Sequence, residues 1–297
     1  MQTLKHLHWR LALALSVAAT ALCLIWPPSD TVQLALLLLL AGCIGVPHGL
    51  TDLGQLSAAG SRFPLPRLAP AICGLVYYLL MLLAVLIVWQ LTPAGALLLL
   101  LLVSIYHFGS HDMREIKQRS CSRAAIWRHG ALIILLPLAA QPQTSDYFQL
   151  LSGLNWQRAQ PVFVAAAMIL VPWQLVWLLQ KPQNTCMLAE TCTIYGMLIV
   201  LPPLLSFTFY FCFWHTPRHY LQHLAAHGAA WLKPSSVITL AMLFVACVGL
   251  VFFLLHFETF AVHPSREITL WFFKLLSALA VPHILLSLII HPQASER

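Results

Sequence analysis

The sequence predicts an all-α fold, a polytopic transmembrane helical bundle with nine or ten crossings. Three observations carry that expectation. Of 297 residues, 60% are hydrophobic and only 8% charged, whereas a soluble domain carries about 25% charged residues. The mean hydropathy is +0.82. The apolar residues also gather in runs of spanning length, close to the roughly 20 residues that one bilayer crossing needs.

Taken in order, the runs fall at about 9–26, 31–50, 69–91, 93–109, 124–140, 160–180, 187–213, 236–257 and 267–290. In the first, Lys5 and Arg10 precede the stretch Leu11–Trp26, a layout shared with signal peptides. The run is long enough to span and no clear small-x-small cleavage site precedes Pro27, so a retained first helix is expected. The breaks carry Pro-Pro-Ser-Asp at 27–30, Thr92-Pro93, Gln141-Pro142, Lys181-Pro182 and Lys233-Pro234. Residues 143–158 are too polar to span and are expected at the interface. With no internal repeat, soluble segment or linker, residues 1–297 read as a single integral membrane domain.

The net charge of +7 reads as topology and not as a nucleic-acid signal, because the basic residues sit in short loops. Lys5 and Arg10, then Arg62 and Arg67, then Arg114, Lys117, Arg119 and Arg123 fall two crossings apart, which places these loops inside. The expected location is multi-pass in the plasma or inner membrane, with the lipid bilayer as partner. His48 and His107 then lie near the inner face. If 187–213 is one kinked crossing, His215 lies mid-membrane or near the outer face. If Pro202-Pro203 forms a turn, 187–201 and 204–226 are two crossings and His215 falls in the inner half.

Eight cysteines, none in a Cys-x-x-Cys pair, read as small buried side chains without a disulfide framework or a thiolate metal site. Fourteen histidines are the anomaly. Imidazoles at membrane depth are costly unless paired, metal-bound or turned to a polar cavity. Six of the fourteen fall in the four clusters that matter: Gly45-Val-Pro-His48-Gly-Leu-Thr-Asp52, Tyr106-His107-Phe108-Gly-Ser-His111-Asp112, Trp214-His215-Thr-Pro-Arg-His219, and Val281-Pro-His283. His215 and His219, four apart, share one helix face. Pro217 has no N–H to give the Phe213 carbonyl. The helix therefore kinks there, or a new one starts with Thr216 as N-cap and Pro217 at N1.

His48, His107, His215 and His219 together read as metal ligands. Asp52 and Asp112 are placed to accept the second N–H of a bound imidazole, as carboxylates commonly do. His111, His223 and His283 read as outer-shell or interfacial residues. Tyr106, Phe108, Phe211, Phe213 and Trp214 are packing residues or the walls of an apolar substrate channel. Imidazole suits Zn, Cu, Fe and Ni. No His-Glu-x-x-His is present, so a zinc protease lacks its general base. Four neutral nitrogens leave positions open on a six-coordinate iron, which suits oxygen chemistry on an apolar substrate.

Pro47-His48-Gly-x-x-Asp52, Tyr106-His107-Phe108-Gly109, His215-Thr-Pro-Arg-His219 and Val281-Pro-His283 resemble the motifs of the Brp/Blh family of membrane β-carotene 15,15′-dioxygenases, from about residue 40 to 290. The resemblance implies iron(II) held by His48, His107, His215 and His219. It also implies cleavage of the central double bond of β-carotene by dioxygen into two retinal molecules, with a functional link to a retinal-binding opsin. Two rivals remain at this stage. A di-iron membrane hydroxylase or desaturase would need more ligands, including a His-x-x-His-His that is absent. A metal or proton transporter would need carboxylates along a membrane path.

Overall fold

The computed structural model describes residues 2–45, 69–116, 122–180, 185–227 and 264–290. Every element among them is helical. His48, Asp52 and the apolar run at 236–257 lie outside the described residues. The helices are α1 (Gln2–Ile25), α2 (Asp30–Leu40) ending in a wide π-helical turn (Ala41–Gly45), α3 (Ala69–Leu91), α4 (Pro93–Ile116), α5 (Arg123–Ala140), α6 (Pro142–Ser152), α7 (Gln160–Leu179), α8 (Thr185–Val200), α9 (Pro203–Phe209), α10 (Thr216–His227) and α11 (Pro264–Ile290). A second π-helical turn, Tyr210–His215, joins α9 to α10.

Five helical segments among the described residues are long and apolar enough to cross a membrane: Thr3–Ile25, Pro93–Met113, Arg123–Ala140, Gln157–Leu179 and Ser265–Leu285. This is fewer than the nine or ten crossings the sequence predicts. The apolar segments Asp30–Gly45, Val76–Leu91 and Cys186–Val200 are shorter than a full span. The last is cut short at the Pro202-Pro203 step. Pro202 is extended (φ −52°, ψ 151°) and α9 starts anew at Pro203. Pro203 has no N–H for the Ile199 carbonyl. Gln141 Nε2 donates to that oxygen at 2.9 Å and also to the Leu201 carbonyl. The run 187–213 is thus two segments, and the residues 143–158 expected at an interface contain the short α6.

The described helices belong to two compact units, Met1–Ala41 with Pro93–Leu221, and Gly42–Thr92 with Gln222–Arg297. In the first, Leu132, Ile194, Leu201, Leu205, Tyr210 and Trp214 anchor the core. Helices α4 and α5 cross at backbone contact. A Cβ on Gly109 would stand 2.0 Å from the Ile126 carbonyl oxygen, and one on Gly130 would stand 1.8 Å from that of Ile105. Small residues permit such approach where apolar surroundings leave van der Waals packing to hold helices together. The outward faces of α1 and α7 expose Leu22, Leu24, Met168 and Ile169, as is compatible with a membrane protein.

In the second unit α3 packs along α11. Trp89 Nε1 donates to Ser277 Oγ, and the Tyr78 hydroxyl donates to the Leu279 carbonyl at 3.2 Å. His283 is buried on α11.

Candidate metal centre

The first unit brings two histidine pairs together. His107 and His111 lie one turn apart on α4. His215 closes the π-helical turn and His219 lies one turn along α10. All four are buried. His107 Nε2 and His215 Nε2 share a hydrogen bond of 3.2 Å. Ring centroids are 4.9 Å apart for His107–His215, 5.0 Å for His111–His215, 5.5 Å for the stacked His111–His219, 6.1 Å for His107–His111 and 6.5 Å for His215–His219.

The backbone that delivers these rings departs from a regular helix. Thr216 is helical (φ −61°, ψ −47°), so the chain runs on through Pro217 with no N-cap. The wide turn Tyr210–His215 accommodates the proline, and π-turns of this kind frequently mark functional sites. The Phe213 carbonyl, which Pro217 cannot serve, accepts instead from His8 Nε2 on α1 at 2.8 Å. Trp214 Nε1 donates to Ser16 Oγ at 2.9 Å. The first helix is thereby tied directly to the segment that carries His215.

Beside the rings lies a buried ionic network that the sequence reading did not identify. Asp112, fully buried, accepts from Arg218 Nη1 on Oδ1 at 3.1 Å, and on Oδ2 from the Tyr210 hydroxyl at 3.0 Å and His129 Nε2 at 3.2 Å. An ionised carboxylate only accepts, so His129 carries its proton on Nε2. His129 Nδ1 faces the Tyr195 hydroxyl at 2.9 Å. The second arm of Arg218 pairs with Glu190 Oε1 at 2.7 Å, and its guanidinium lies 5.0 Å from the Trp214 ring. The imidazole that Asp112 meets at hydrogen-bond distance is thus His129, from α5.

Of the aromatic residues singled out as channel walls, Phe108 and Phe211 lie against His215, with centroids at 4.9 and 5.9 Å. Tyr106 turns to Trp127 at 5.4 Å, Phe213 to Phe209 at 5.0 Å, and Trp214 is sunk in the core. His283 belongs to the second unit, and the side chain of His223 is not among those described.

The donor chemistry fits a metal ion. With a metal–imidazole bond of roughly 2.1 Å, adjacent ligand nitrogens stand about 3.0–3.4 Å apart, and bound rings have centroids about 4.5 Å apart at right angles and about 6.5 Å apart when opposed. The measured separations span that window. As the side chains stand, no three His, Cys, Asp or Glu donors among the described residues already encircle one point. An ion would take the place of the His107–His215 hydrogen bond.

The family model for β-carotene 15,15′-dioxygenase matches residues 39–291. The chain is 28% identical over 265 residues to a β-carotene 15,15′-dioxygenase of uncultured marine bacterium 66A03, an alignment covering 85% of this chain and 92% of the relative. No solved structure matches it.

Proposed function

The chain belongs to the β-carotene 15,15′-dioxygenase family, and from that premise we propose that it cleaves the central double bond of β-carotene with dioxygen, giving two retinal molecules. The reaction balances without further reactants: one C=C bond and one O=O bond are lost, and each new C=O carries one atom of the dioxygen. The chain is thus an enzyme that forms retinal from a carotenoid. The observation that carries the site is the buried double pair of imidazoles within one helical unit.

Iron(II) is the cofactor proposed, held by His107, His215, His219 and His48. When bound it supplies the one-electron and dioxygen chemistry that no side chain offers. The protein's own part is to hold neutral donors in one small volume and to keep water out. Phe108 and Phe211 flank His215 with apolar rings. A hydrocarbon substrate offers no charge to grip, so shape and burial, about 25 cal/mol per Å², must position it. The exposed apolar faces of α1 and α7 support residence in the bilayer, where the substrate dissolves, with lateral entry from lipid. The carboxylates that a transporter would need are present as Asp112 and Glu190, but both are tied to Arg218.

Expression in β-carotene-producing cells should bleach the carotenoid and yield retinal as the main product. Purified enzyme should do so only when iron-loaded. Apocarotenals of unequal length as main products would refute central cleavage, and full activity in metal-free protein would refute the iron centre.

A further inference from the structure

We infer that His111 is a direct ligand of the iron, paired with His107 on α4 as His215 is paired with His219 across the π-turn and α10. The inference rests on the iron reading above. The family resemblance places a donor at His107 and assigns nothing to His111, four residues on.

The geometry separates the two roles open to His111. A residue that merely supports a ligand lies behind that ligand's ring, further from the centre. His111 lies among the rings. Its centroid is 5.0 Å from His215 and 5.5 Å from His219, closer to each than those two are to one another at 6.5 Å. Its distance to His107, 6.1 Å, also falls inside the range for two rings on one ion. Spacing of four residues on a helix puts His107 and His111 on one face, and the same face of α4 meets His215. The carboxylate next in sequence, Asp112, is not available as a competing donor, because Arg218, Tyr210 and His129 take its oxygens. With His111 counted, this unit alone offers four imidazoles.

The test compares wild type, His107→Ala, His111→Ala and His111→Phe, each purified in detergent and loaded anaerobically with Fe(II) or, separately, Co(II). Phenylalanine keeps a ring and its packing but has no donor nitrogen, so a folded protein is expected even where the alanine variant is weakened. Both His111 variants, like His107→Ala, should retain iron at least tenfold less tightly than wild type, since even the loss of an outer partner typically weakens a site about 10–100-fold. The visible bands of the cobalt form should shift. Added imidazole should restore iron to His111→Ala, where it can enter the space left, but not to His111→Phe. Wild-type iron affinity and an unchanged cobalt spectrum in His111→Phe would overturn the inference while leaving the iron centre intact. Failure of wild type itself to take up iron or cobalt would overturn the iron reading and the role of His111 together.

Discussion

His111 and Asp112 are neighbours in the chain, as are Arg218 and His219, yet within each pair the side chains join different assemblies. One assembly gathers like with like: four imidazoles and two phenyl rings, with a hydrogen bond of 3.2 Å between His107 and His215. The other sets opposite charges together: two carboxylates on one guanidinium, closed by an imidazole and two phenols. Both are buried and both join α4 to α10, and the ionic one also reaches α5 and α8. A buried charge left without its partner is heavily penalised, so the ionic assembly ties α4, α8 and α10 to a single register. Neutral imidazoles impose no such demand on their neighbours. The difference teaches that charge fixes where the helices lie, and the rings take up the positions that result.

The comparison breaks most sharply if the rings prove to be structural. Replacing His215 or His219 with Ala is expected to abolish retinal formation and strip most of the iron while leaving the protein inserted, because insertion rests on long apolar runs. Iron and retinal per membrane protein measure this, and an unstable, depleted protein would erase the division of labour. Substituting Asp112 or Arg218 with Ala should do the reverse first. The expected loss is about 3–5 kcal/mol of stability for an orphaned buried charge, read by unfolding in mixed micelles. An apolar triple, Asp112→Leu with Glu190→Leu and Arg218→Met, should recover much of that stability but not the iron affinity.

A smaller effect is expected where α4 meets α5. Gly109→Ala or Gly130→Ala forces a methyl against a carbonyl and should destabilise by about 1–3 kcal/mol, with a matching fall in iron retention because α4 carries His107. The smallest is at His8. Substitution by Phe leaves the half-buried Phe213 carbonyl short of its donor, at about 1 kcal/mol, with iron content near wild type. A loss of iron comparable to that of His219→Ala would show that α1 belongs to the site and not to its support.

Much of this was legible in the chain because hydrophobicity and proline act locally. The apolar runs match α1, α3, α4, α5, α7 and α11 closely, and Pro202-Pro203 announced the step between α8 and α9. The count of full spans among the described residues was less legible, because apolar composition alone does not separate a full span from the shorter Val76–Leu91 and Cys186–Val200. His107, His215 and His219 stood out by motif and spacing. The ionic assembly did not, since Asp112, His129, Glu190 and Arg218 come from four helices and no spacing links them. A signal was present: Arg128-His129 and Glu190 each interrupt an apolar run, and an ionisable residue there is a functional-site hypothesis by default. Arg218 stands between two histidines of a motif, but its role depends on partners far away in sequence. Pro217 pointed to an irregular backbone, but the widening falls one turn earlier, because it is set by which carbonyl the missing N–H would have met.

That widened turn also works as a phase shifter. A regular helix advances about 100° per residue, and the turn at Tyr210–His215 absorbs a residue without the matching advance. Upstream of it, Leu204, Leu205 and Thr208 point into the core. Downstream, His215, Arg218 and His219 are buried in turn. On one straight helix of the same letters, positions 204, 208, 215 and 219 would fall within about 60° of one another. Winding 210–215 as a regular helix would therefore swing everything beyond it through about a quarter of a revolution relative to the observed structure. The histidines would then face elsewhere with every letter still present, so the winding of that segment carries as much information as its composition.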